Sequence, residues 1–158
     1  PYLEDAQAIQ QIGLGVESSG GFSTSFHTLE KCGFLPAILL LMILKQTGQS
    51  LSALHQQSVN RYGQSVFKES QYTFESDRKP AIESFLAHAN TDTLAPFFTE
   101  PITDIIKVDG LKIMFESGAW ILLRLSGTEP VSRIYAESDD GATSQSLIQN
   151  GSRLLDSI

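Results

Sequence analysis

The sequence has 158 residues, enough for one ordinary domain or for one small domain carrying a piece of another. Hydrophobic residues make up 41% and charged residues 18%, which excludes a disordered or low-complexity chain. With 11 Lys and Arg against 18 Asp and Glu the net charge is -7, so there is no basic footprint for nucleic acid, and an anionic ligand would need a local site built against the overall field.

In chain order, residues 3–10 predict a short helix and residues 11–17 alternate like a strand that runs into the turn Ser18-Ser19-Gly20-Gly21. Residues 22–26 predict a second short strand. The apolar run 34–44 is broken by Pro36, ends at Lys45 and falls short of the roughly 20 residues that span a bilayer, so no membrane is implied. It reads as a buried helix over 34–47, stopped by Gly48. Ser50 caps a further helix over 51–62, which Gly63 ends. Residues 66–74 read as a strand, 79–89 as a helix preceded by Ser76 and Asp77, and the Pro- and Thr-rich stretch 91–101 as a loop. Strands over 102–108, 111–116 and 119–125 are separated by Asp109-Gly110 and Ser117-Gly118, both hairpin-turn dipeptides. A strand over 131–137 and an amphipathic helix over 142–157 complete the chain.

This order predicts an α+β fold, an antiparallel sheet of about four strands with helices packed on one face. Residues 1–48 are too few to bury a core of their own and are expected to belong to something larger, with a domain boundary near 48 and 49. The start at Pro1, with no initiator Met and no leader, reads as a fragment or a processed chain. Cys32 is alone, which excludes an internal disulfide, fits a reducing cytoplasm and reads as a core residue.

Two loops carry chemistry. Arg124-Leu125-Ser126-Gly127-Thr128-Glu129-Pro130 lies between two predicted strands. Its guanidinium fork, two hydroxyls and a glycine that permits close backbone approach or positive φ compose an anion cradle, and the same residues would also serve as a tight strand connection. Gly15-Val16-Glu17-Ser18-Ser19-Gly20-Gly21 sets a carboxylate and a hydroxyl two residues apart on a glycine-rich turn, which suits sugar hydroxyls or a plain solvated turn. Arg133 can add charge to the cradle or face solvent beside Glu137, and is left outside the site. Asp139-Asp140-Gly141 lacks metal-ligand spacing and reads as a helix cap, so no metal site is expected. Phe115 and Trp120 read as packing residues, and His27 as structural.

Taken together, Gly-x-Glu-x-Ser-Gly-Gly, then His27-x-x-Glu30-Lys31-x-Gly33 before an apolar helix, then Asp109-Gly110-x-Lys112 and Arg-x-Ser-Gly-Thr-Glu-Pro, resemble the successive C-terminal motifs of the α-D-phosphohexomutases, the phosphoglucomutase/phosphomannomutase family. The resemblance covers nearly the whole chain. It implies that residues 1–48 are the end of the family's third, α/β domain and 49–158 its fourth, a TBP-like α+β domain. It implies sugar binding by Glu17, Ser19 and Gly20 and phosphate binding by Arg124, Ser126, Gly127 and Thr128. The parent enzyme would interconvert hexose 1-phosphate and hexose 6-phosphate, of glucose or mannose, through a phosphoserine and a bisphosphate, in the cytoplasm. The Ser-Gly-Gly end of the sugar loop resembles the glucose and mannose branches more than the glucosamine branch. The catalytic serine loop and the Mg²⁺ loop are not in this sequence, so the chain alone is expected to be inactive and to depend on N-terminal domains of the same polypeptide. A free-standing phosphosugar-binding or regulatory module is the alternative. Cys32 and Leu125 replace the Asp and Pro usual in the family.

Overall fold

The computed structural model describes residues 13–17, 20–26 and 30–158. The expected helix over 3–10, Ser18, Ser19 and His27 lie outside the described residues. The chain divides into two compact units, 1–57 and 58–158.

In the first unit β1 (Leu14–Val16) and β2 (Phe22–Thr24) form an antiparallel hairpin, with Gly15 opposite Ser23. Both strands are shorter than predicted, because a two-stranded ribbon holds only the residues next to its turn. α1 (Phe34–Thr47) and α2 (Leu51–Tyr62), the latter running across the division at 57 and 58, follow at the predicted bounds, α2 with Ser50 Oγ accepting from the Ala53 amide at 3.2 Å. The expectation of a buried α1 is corrected: none of its side chains is buried, and Phe34 and Leu41 are 83% and 65% exposed. The helix is apolar all round, and a hairpin of two three-residue strands offers too little surface to cover it. Cys32, expected in a core, is only half-buried for the same reason.

The second unit holds the core. β3 (Val66–Thr73), β4 (Ile102–Ile106), β5 (Leu111–Phe115), β6 (Trp120–Leu125) and β7 (Val131–Ser138) form one antiparallel sheet in the order β3-β7-β6-β5-β4. It has five strands rather than about four, because β3 pairs along its whole length with the last strand, from Val66 opposite Ser138 to Thr73 opposite Val131. α3 (Lys79–His88), preceded by a short 3-10 turn at Ser76–Arg78, and α5 (Gly141–Asp156) supply most of the helical residues of the core. A four-residue helix, α4 (Thr91–Leu94), stands where a loop was expected, held by a reciprocal cap in which Asn90 Oδ1 accepts from the Thr93 amide and Thr93 Oγ1 from the Asn90 amide.

Period-2 alternation assigns the sheet faces. Leu111, Ile113, Phe115, Ile121, Leu123, Ile134 and Ala136 are buried, together with Ile82 of α3 and Leu154 and Leu155 of α5. The alternate residues Lys112, Trp120, Arg124, Arg133 and Tyr135 lie on the other face, where Phe67 packs on Trp120 and Tyr135 and the Lys112 ammonium sits 4.2 Å from the Trp120 ring centre. Phe115 is therefore core and Trp120 a cross-strand packing residue. Asp140 caps α5 through the Ala142 and Thr143 amides at 2.7 and 3.0 Å, and hydrogen bonding from the Thr143 side chain first, then from these two amides, holds its carboxyl below the usual range.

Candidate functional site

The connection from β6 to β7 carries the Arg-x-Ser-Gly-Thr-Glu-Pro sequence, and strand pairing fixes both of its ends. The Ser126 amide donates to the Val131 carbonyl at 2.9 Å, and Leu125 stands opposite Ser132. Inside the turn, Ser126 Oγ accepts from the Glu129 amide at 3.2 Å and the Thr128 amide at 3.4 Å. With its lone pairs directed at those amides, the hydroxyl keeps a proton to donate outward. Gly127 has no positive φ, which corrects one of the two reasons given for it. A Cβ there would meet no protein atom within 4 Å, so what the glycine provides is open space for a ligand to reach the backbone.

Arg124 and Arg133 are direct cross-strand partners. The sequence reading set Arg133 aside, because register is not written in any local motif. Two like charges placed opposite one another destabilise a sheet unless something negative lies between them. Both line a cavity of about 160 Å³ with Leu125, Ser126 and Gly127, several times the roughly 30 Å³ that one water occupies. Arg124 Nε also lies 3.0 Å from Asp109 Oδ2, with both side chains about half exposed. Asp109 is set by the β4–β5 turn, where Gly110 has φ +99° and a Cβ would collide with the Leu123 carbonyl oxygen. That close approach brings the turn against the base of Arg124. An unforeseen contact comes from Lys79, whose Nζ donates to the carbonyls of Ser126 and Gly127.

The other loop is built by the hairpin of the first unit. The Gly20 amide donates to the Glu17 carbonyl at 3.0 Å and the Glu17 amide to the Gly21 carbonyl at 2.9 Å, a turn that needs the positive φ of Gly20, +85°. The Glu17 carboxylate receives Lys31 Nζ at 3.2 Å, an exposed pair that sequence reading did not assign. Glu17 and Gly20 are thus brought together, while Ser19 lies outside the described residues. Among the described residues no group of three or more His, Cys, Asp or Glu is placed to hold a metal ion. Asp140 is committed to its helix cap through the Ala142 and Thr143 amides. No single helix among the described residues is long and apolar enough to cross a membrane.

Two family descriptions match successive parts of the chain: "Phosphoglucomutase/phosphomannomutase, alpha/beta/alpha domain III" over residues 3–62, and "Phosphoglucomutase/phosphomannomutase, C-terminal domain" over residues 75–150. The chain belongs to the phosphoglucomutase/phosphomannomutase family. A phosphoglucomutase/phosphomannomutase of Thermococcus kodakarensis is 28% identical over 90% of this chain, which spans 28% of that relative's length. A phosphoglucosamine mutase of Methanocaldococcus jannaschii is 35% identical over 51% of the chain and 16% of its own length. The crystal structure of parafusin, a phosphoglucomutase from Paramecium in its open form, superposes over 98% of this chain and 32% of its own at a TM-score of 0.72 and 22% identity. At that identity the likeness supports the fold, and the α+β architecture is that of the family's C-terminal domain.

Proposed function

We propose that this chain is the C-terminal substrate-binding part of a phosphohexomutase that interconverts hexose 1-phosphate and hexose 6-phosphate, of glucose or mannose, through a phosphoserine and a bisphosphate intermediate. The observation that carries the reading is the Arg124–Arg133 pair, set across two strands at the mouth of a Ser-Gly-Thr loop in a chain with net charge -7. An acidic protein that places two guanidinium groups side by side offers a dianion two planar forks and a hydroxyl donor in one small cavity. In this role Arg124, Ser126, Gly127, Thr128 and Arg133 grip the phosphate that is not reacting. Glu17, Ser19 and Gly20 read the sugar hydroxyls, with Lys31 orienting the Glu17 carboxylate.

Holding the distal phosphate fixes the reactive end in place. Positioning of this kind supplies several kcal/mol of barrier reduction in phosphoryl transfer. The phosphoserine and Mg²⁺ are assigned to N-terminal domains of the parent polypeptide, so this chain alone is inactive, and the site of action is the cytoplasm. The Ser-Gly-Gly end of the sugar loop supports glucose and mannose, while the phosphoglucosamine relative keeps glucosamine as the sugar to be tested against them. We also propose the domain division at 48 and 49.

A free-standing phosphosugar-binding module is the second reading, favoured by the confinement of the whole cradle to the second unit. A serine loop and a metal loop encoded upstream in the same reading frame would decide for the enzyme. The binding reading itself is tested by amide-resolved NMR titration with glucose 1-phosphate, with inorganic phosphate and glucose as controls. Saturable shifts at Ser126, Gly127 and Thr128, lost in Arg124→Ala, are expected. No shift up to about 10 mM, weaker than roughly 3 kcal/mol, would overturn a cradle preformed in this chain.

A further inference from the structure

Lys79, the first residue of α3, is half-buried and reaches a loop 47 positions further along the chain. Its Nζ donates to the Ser126 carbonyl at 3.0 Å and the Gly127 carbonyl at 3.3 Å. A trans peptide unit is planar, with its C=O and N–H pointing in opposite directions. A cation that draws these two carbonyls to one side therefore turns the amides of Gly127 and Thr128 to the other. The cavity is lined by Arg124, Leu125, Ser126, Gly127 and Arg133 and not by Lys79, which holds the loop from outside it. Among the described residues the Gly127 amide has no protein acceptor, and the Thr128 amide has only the long 3.4 Å contact to Ser126 Oγ.

We propose that Lys79 is a positioning residue for the cradle: by clamping two carbonyls from behind, it presents the Gly127 and Thr128 amides to a phosphate held by Arg124 and Arg133. The role in binding rests on the phosphate reading above; the clamp itself does not. Lys79 differs from the two arginines in what salt should do to it. A lysine acting only as a distant positive charge loses its influence as the screening length shrinks from about 10 Å at 0.1 M salt to about 3 Å at 1 M. A clamp acts through the direction of two peptide units, which salt does not alter.

The test compares the full chain with Lys79→Met and Lys79→Arg, titrated with inorganic phosphate at low and at high sodium chloride, beside ligand-free amide spectra. We expect Lys79→Met to weaken phosphate binding about tenfold relative to the parent chain at both salt concentrations, as for one lost charge-assisted hydrogen bond. Lys79→Arg, which keeps a cationic donor, should restore most of it. Without ligand, the Gly127 and Thr128 amide resonances should move in Lys79→Met and return in Lys79→Arg, with core amides such as Leu123 and Ile134 unmoved. A deficit that vanishes at high salt, or Gly127 and Thr128 amides that stay in place, would overturn the proposal. Failure of the parent chain to bind phosphate would sink the reading of the site, and the ligand-free shifts with their Arg rescue would still decide whether Lys79 clamps the loop.

Discussion

The two units carry one of the proposed recognition loops each, and they hold it by different means. In the first, a hairpin of two three-residue strands presents Glu17 and Gly20, with an exposed lysine as the carboxylate's ion-pair partner. In the second, the loop closes two strands of a five-stranded sheet, is gripped from outside by Lys79 and stands over a buried core. Every buried hydrophobic side chain among the described residues lies between Phe74 and Leu155. A loop is as well ordered as the packing beneath it, so phosphate recognition is expected to be preformed in this chain and sugar recognition to need further covering surface.

The largest effect that would break this contrast concerns the cores. Leu123→Ala should cost the second unit about 2–5 kcal/mol in urea denaturation, whereas Leu41→Ala in α1 should change stability by no more than about 0.5 kcal/mol. Equal losses would mean that α1 is covered in solution. Next in size is Gly110→Ala, which forces a side chain onto positive φ and against the Leu123 carbonyl. A loss of roughly 1–3 kcal/mol is expected, together with weaker phosphate binding as the turn is pushed off β6.

Arg133→Gln sharpens the comparison by separating stability from binding. Relief of the cross-strand like-charge pair should raise ligand-free stability by a few tenths of a kcal/mol, while phosphate affinity falls about tenfold. A variant with lower stability and unchanged affinity would show that Arg133 serves the sheet and not the ligand. The smallest effect is pH-dependent. Asp140 is held below its ordinary pKa by the Thr143 and Ala142 bonds, so its contribution is full above the unfolded value of about 4 and is lost as pH falls through the lower folded value. Asp140→Asn should keep a cap while flattening that part of the acid limb of the melting curve. An acid limb identical to that of the parent chain would show that this carboxylate is not linked to folding.

Much of the second unit was legible in local chemistry. The hairpin dipeptides at 109–110 and 117–118, the alternation along β5 and β6 and the Asp140 cap each state their structure within a few residues. The short helix at 91–94 was missed beneath a Pro- and Thr-rich composition, although Asn90 and Thr93 carry a capping pair three residues apart. The expected burial of α1 failed because apolar composition states a need for partners and cannot supply them.

The sequence by itself determined the order of elements, the two loops and the residue types within them, since each depends on backbone preferences and side-chain chemistry over fewer than about ten positions. Only the tertiary structure decided that Arg133 faces Arg124, that Lys79 holds the loop 47 positions later and that β3 closes the sheet beside β7. Those facts follow from strand register and from helix placement on a shared core. Both are set by long-range packing, in which a shift of one residue would turn every side chain of a strand to the opposite face.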